Sequence, residues 1–116
     1  MTKNKRKLGE KGEQWAVDFL VKEGYEIVER NFQASHLEID IIAQKEKWLV
    51  FVEVKLRADN DHGMPEEKVG NTKQSFLLKA ADHYLNTHSW EGKVRFDLIS
   101  ITISPFEIRH FEDAFY

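Results

Sequence analysis

Two acids and a lysine stand inside runs that are otherwise apolar. Glu53 follows Asp40 by thirteen positions and Lys55 follows Glu53 by two, in the segments Leu37-Glu38-Ile39-Asp40-Ile41-Ile42-Ala43 and Leu49-Val50-Phe51-Val52-Glu53-Val54-Lys55. Both runs read as buried strands, and charge seldom enters a strand interior without compensation. Side chains alternate across a strand, so Glu53 and Lys55 share one face while Val52 and Val54 fill the other. On the same rule Glu38 and Asp40 share a face, with Ile39 and Ile41 together on the opposite one. The polar connector Gln44-Lys45-Glu46-Lys47 is short enough to join the strands antiparallel, and that pairing would gather Asp40, Glu53 and Lys55. Two carboxylates suit a hard divalent cation, Mg2+ or Mn2+, and a neighbouring ammonium can orient water or stabilise charge. That is the equipment of metal-assisted phosphodiester cleavage. The competing account of a Glu-x-Lys on a strand is a solvated face or a device against edge pairing. The apolar flanks, which mark a central strand, and the upstream acid in a second strand favour the chemical account.

The rest of the chain must position these residues. From Leu8 to Glu23 the spacing predicts a helix, with Trp15, Ala16, Phe19 and Leu20 forming an apolar stripe and Gly24 stopping it. Glu13 borders that stripe instead of pointing to water. Its alternative role is an acid favoured by the helix dipole. Tyr25 to Phe32 reads as a first strand, ahead of the Asp40 and Glu53 strands. Residues 58–70 are polar, with Gly63 and Pro65, and read as a loop. Asn71 and Gln74 resemble a capping box opening a second helix, whose apolar face is Phe76, Leu77, Ala80, Ala81, Tyr84 and Leu85. Lys73 falls near the start of that helix on its core-facing side, where a cation opposes the dipole. Val94 to Ser104 is a further strand ended by Pro105, and Phe106 to Phe111 a short last one. The order predicts an α/β fold in which helices flank a central mixed β-sheet.

Composition sets the outer bounds. The chain of 116 residues is one domain, with 41% apolar and 32% charged residues, as in an ordinary globular protein. It has no cysteine, which excludes disulfides and thiolate metal sites. No apolar run approaches membrane-spanning length and no signal-peptide core is visible, so a cytoplasmic protein without membrane contact is expected. A net charge of −3 argues against a nucleic-acid binder, but Lys3, Lys5, Arg6, Lys7 and Lys11 crowd the start of the chain. Residues 1–8 are accordingly read as a flexible basic arm that could follow a phosphate backbone or simply fray in solvent. The five histidines show no zinc-like spacing, and no glycine-rich phosphate cradle follows a strand.

Taken together, Gly12-Glu13 with Ala16, Arg30-Asn31, Glu38-Ile39-Asp40-Ile41-Ile42-Ala43, Phe51-Val52-Glu53-Val54-Lys55 with Arg57, Lys73, Ala80-Ala81 and Arg95-Phe96-Asp97 resemble the YraN-like uncharacterised bacterial family. That family is similar to the PD-(D/E)xK nucleases, among them Holliday-junction resolvases and restriction endonucleases. The resemblance implies a restriction endonuclease-like fold, Mg2+ or Mn2+ as cofactor, and nucleic acid, DNA foremost, as partner. By resemblance Asp40, Glu53 and the backbone carbonyl of Val54 would hold the metal, and Lys55 would orient water or stabilise the phosphorane. Glu13 would be the helix-borne acid completing the catalytic set, and Arg57, Lys73 and Gln74 would meet nucleic acid. The chain departs from the pattern at Leu37, Ile39 and Leu56, where relatives favour glycine, proline and threonine. It departs again at Ser75 and Phe76, where they often carry basic residues. A non-catalytic nucleic-acid-binding accessory protein on the same fold is the alternative. Trp48, Trp90, Phe106, Phe111, Phe115 and Tyr116 either form a weak or substrate-induced homodimer interface or fold back onto their own core.

Overall fold

A computed structural model of the chain describes residues 3–59 and 69–115; most of the loop expected at 58–70, and Tyr116, lie outside the described residues. Helix α1 (Lys3–Lys22) begins earlier than its apolar periodicity, so the stretch read as an arm forms its first turns from Lys3 onward. Ala16, Val17 and Leu20 are buried, as their spacing requires. The helix stops at Gly24, whose φ of +96° is the left-handed conformation glycine adopts freely. Tyr25 N–H then donates to the Leu20 carbonyl at 2.9 Å, the six-to-one closure of a glycine-ended helix.

Three strands follow as two tight hairpins: β1 (Glu26–Ala34), β2 (Leu37–Lys45) and β3 (Trp48–Asp59). The first residue of each two-residue turn is left-handed, Ser35 at φ 61° and Glu46 at φ 55°, which matches the twist of the flanking strands. Helix α2 (Asn71–Thr87) then crosses over to β4 (Lys93–Ser104), which pairs parallel to β3 before β5 (Glu107–Phe111) returns antiparallel. The sheet order is β1-β2-β3-β4-β5 and the sheet is mixed, as expected from the sequence.

The helices cover opposite faces. Ala16, Val17 and Leu20 of α1 pack with Ile41, Ala43, Val50, Val52, Ile99 and Ile101. Leu77, Ala80, Ala81 and Tyr84 of α2 pack with Ile39, Ile42, Leu49, Phe51 and Leu98. This overturns one expectation, because Ile39 and Ile41 do not share a face. Alternation breaks at Asp40, and the register explains why. Opposite it on β1, Asn31 sits at φ 53° between the pairs Arg30↔Ile41 and Phe32↔Ile39, and β2–β3 pairing starts only at Ile41↔Val52.

One further expectation changes. The capping box does not form: Gly70 is the N-cap of α2 without a side-chain bond, and Gln74 donates instead to the Val69 carbonyl at 2.6 Å. The C-terminal segment folds back on its own core, with Ala114 buried, Phe115 stacked on Phe96 at 4.7 Å, and Trp90 donating to the Lys93 carbonyl. Of the described aromatics read as interface material, only Phe106 is largely exposed, and its ring meets Trp15 edge-on.

Candidate metal centre

The site lies where β2 peels away from β3. Continuing the register beyond Ile41↔Val52 would set Val54 opposite Ile39, but β2 has turned aside there. The Val54 N–H donates instead to Asp40 Oδ2 at 2.8 Å. N–H and C=O of one strand residue point to the same side, so the Val54 carbonyl is directed into the same gap. Glu53 precedes it, half-buried, and shares a hydrogen bond with Asp40. Burial first, then the charge and hydrogen bond of Glu53, push the Asp40 carboxyl up to about 8, against the opposing bond from Val54. The pair therefore holds a proton at neutral pH, where two exposed acids would hold none.

The faces sort the remaining residues. Val52, Val54 and Leu56 belong to the α1-side core, which leaves Glu53, Lys55 and Arg57 on the α2 side of β3. Lys73, from the first turn of α2, reaches Glu53 with Nζ 3.2 Å from Oε2. Lys55 lies across from Ser100, whose buried hydroxyl has no hydrogen-bond partner among the described residues, and Arg57 across from Thr102. The structure thus brings Asp40, Glu53 and Val54 into contact and sets Lys73 against Glu53. The Gln74 side chain is committed to the start of its helix and does not reach this group.

Glu13 approaches from the other side of the sheet. It lines a cleft of about 180 Å³ with Gly9, Gly12, Asp40, Val54 and Leu56. Gly12 packs beside it, where a Cβ would come into contact with the Leu56 methyls at 3.4 Å. Glu13 Oε1 accepts from Arg30 Nε and Asn31 Nδ2, both at 3.0 Å, on the wall of a wider basin of about 750 Å³. Among the described residues no three acidic or imidazole groups converge closely enough to hold an ion. The close pair is Asp40 and Glu53, with Glu13 across the cleft.

Arg30 and Asn31 have no evident role in the sequence motif; the structure makes them the anchors of Glu13. A second polar cluster is one that sequence reasoning missed as a unit. Asp97, fully buried on β4, accepts from Arg95 through both carboxylate oxygens at 2.8 and 2.7 Å, from His110 Nε2 at 2.7 Å and from the Asp113 N–H at 3.0 Å. Burial raises the Asp97 carboxyl, but those bonds outweigh it and hold the group below the usual carboxylate range. Arg95 also donates to the Tyr25 hydroxyl at 2.7 Å, tying the end of α1 to the sheet. The Arg-x-Asp spacing on a strand was the available signal, whereas nothing local marks His110.

With this geometry in view, comparison with known proteins gives a family. Residues 12–101 match the model described as "Uncharacterised protein family UPF0102", and the chain belongs to that family. It is 46% identical over 111 residues to a UPF0102 protein of Flavobacterium psychrophilum, covering 94% of this chain and 93% of the relative. A UPF0102 protein of Dictyoglomus thermophilum is 44% identical over 102 residues, 87% and 86% of the two chains. One from Clostridium perfringens is 42% identical over 120 residues, 99% and 98%. The matched span contains Glu13, Asp40, Glu53 and Lys55 alike. No helix among the described residues is long and apolar enough to cross a membrane.

Proposed function

We propose that this protein is a divalent-metal-dependent nuclease of restriction endonuclease-like fold that hydrolyses phosphodiester bonds of DNA or of a structured nucleic acid. The observation that carries the reading is the hydrogen-bonded Asp40–Glu53 pair at the break between β2 and β3. Two carboxylates held together, with a backbone carbonyl facing the same gap, form an all-oxygen donor set. Such a set fits Mg2+ or Mn2+ and not a thiolate- or imidazole-seeking metal. The proton retained on Asp40 is held by burial and by the neighbouring Glu53, and a bound cation would replace that proton. When bound, the metal would lower the pKa of a coordinated water and neutralise charge at the scissile phosphate.

The chain's own groups divide the remaining work. Asp40 and Glu53 would hold the ion. Lys55, on the same strand face as Glu53, would orient the attacking water and stabilise the negative charge that develops on the phosphoryl oxygens. Lys73 and Arg57 would meet the phosphate backbone, with Lys73 passing from Glu53 to the substrate as the cation takes its place. Glu13 would accept a proton, or a hydrogen bond from water, across the cleft.

Cleavage of a panel of linear, nicked, flapped and four-way DNA in Mg2+ or Mn2+ tests the reading. Loss of cleavage in the Asp40→Ala, Glu53→Ala double variant supports it, and equal cleavage by that variant and the wild type removes it. The Lys73–Glu53 ion pair favours a second reading, a non-catalytic nucleic-acid-binding accessory protein, because a lysine already neutralises one of the acids. Metal-independent binding without cleavage of any substrate would select that alternative.

A further inference from the structure

Helix α2 presents an aromatic ring to solvent beside the candidate centre. Its buried face is Leu77, Ala80, Ala81 and Tyr84, yet Phe76 is 45% exposed. Phe76 lies three residues after Lys73, whose ammonium touches Glu53, and three before the exposed Lys79. On a helix these spacings place neighbours on one surface with Cβ atoms about 5–6 Å apart. The ring is therefore flanked by a cation on each side, one turn from the acidic pair. His83 follows Phe76 by seven positions on the same side of the helix. Leu78, also exposed, lies on the opposite flank, and the exposed Asp82 follows Lys79 by three.

An exposed phenylalanine costs solubility and contributes little to the fold. Here it stands between two lysines, which is the chemistry of a stacking platform for an unpaired base. The ring takes the face of the base, and the ammonium groups take the phosphates before and after it. A paired base in a duplex offers no free face to such a ring. We propose that Phe76 stacks an unpaired nucleobase next to the Asp40–Glu53 centre, making Phe76 a specificity-determining residue for single-stranded or locally unpaired nucleic acid. This inference rests on the nucleic-acid reading of the site and adds its substrate class, but it does not depend on cleavage.

The test is binding of the full chain to a single-stranded oligodeoxythymidine carrying one 2-aminopurine, and to a duplex of the same length, in Mg2+-free buffer. The wild type should quench the 2-aminopurine and prefer the single strand. Phe76→Ala should weaken single-strand binding by about fivefold to a hundredfold, the range that one stacked base contributes, and abolish the quench. Its duplex affinity should change less than about twofold. Phe76→Trp should restore both signals, whereas Phe76→Leu, which keeps the apolar surface without the ring, should not. Leu78→Ala should match the wild type, and Lys79→Ala should lower the salt slope of binding by about 0.7. Single-strand binding and quenching by Phe76→Leu equal to those of wild type would overturn the stacking role while leaving the metal centre standing. A wild type that binds neither probe at any salt concentration would overturn both this inference and the nucleic-acid reading beneath it.

Discussion

Replacing Asp40 with asparagine should stabilise the metal-free protein at alkaline pH and leave it unchanged in acid. The amide would keep both bonds: its carbonyl can accept from Val54 N–H and its NH2 can donate to Glu53, as protonated Asp40 does. The difference is that an amide cannot ionise. Asp40 moves from an ordinary 3.8 to about 8 on folding, so between these values the folded chain binds a proton that the unfolded chain has released. Stability from this group is therefore complete below the ordinary carboxylate pKa and is lost as pH rises through about 8. At about 1.4 kcal/mol per pKa unit, and with water screening the half-open cleft, the loss is on the order of 2–5 kcal/mol. For a domain of this size 1 kcal/mol moves Tm by roughly 4 °C or more. Thermal melts in EDTA should thus show Asp40→Asn about 8 °C or more above wild type near pH 9, and within about 2 °C near pH 3. Mg2+ should raise the wild-type Tm at the alkaline end and not that of the variant. Parallel pH profiles for the two proteins would refute the reasoning, because they would mean that Asp40 and Glu53 do not share a proton.

Three other outcomes are expected. Lys73→Met should tighten Mn2+ binding, measured by calorimetry, because the ammonium 3.2 Å from Glu53 competes with the ion; half exposed, it should change affinity by less than about tenfold. Asp97→Ala takes the bidentate partner from the largely covered Arg95 and leaves His110 without its carboxylate, and should cost about 3–5 kcal/mol by urea unfolding, while Mn2+ affinity at a folded temperature stays as in wild type. Because Asp97 lies below the usual range, its contribution to wild-type stability is present above about pH 4 and is lost as pH falls further. Gly92→Ala should destabilise by about 1–3 kcal/mol in the same assay, since a Cβ there runs into the Lys47 carbonyl and the Trp90 ring.

The periodic elements were legible because their causes are local. Ala16 and Leu20 at helical spacing, Gly24 as a stop, and the runs around Asp40 and Glu53 each carry their own signal. The parallel β3–β4 pairing follows from a helix lying between two strands. What the sequence concealed depends on backbone events that no periodic pattern records. The change of faces between Ile39 and Ile41 arises from a left-handed Asn31 on the neighbouring strand, and strict alternation cannot foresee it. That change is also what releases the Val54 N–H to Asp40. Gln74 has the spacing of a cap partner, but a Gly70 N-cap leaves its side chain to the Val69 carbonyl. His110 joins Asp97 from thirteen residues away, a pairing fixed only by the β4–β5 turn.

The most direct test of the central claim is calorimetric titration of Mn2+ into the metal-free wild type, in buffers of different ionisation enthalpy near neutral pH. The shared proton on Asp40 predicts one binding event that releases close to one proton, tightens as pH rises toward about 8, and disappears in Asp40→Ala, Glu53→Ala. Mn2+ binding that releases no proton, or that survives in the double variant, would contradict the assignment of Asp40 and Glu53 as a metal centre.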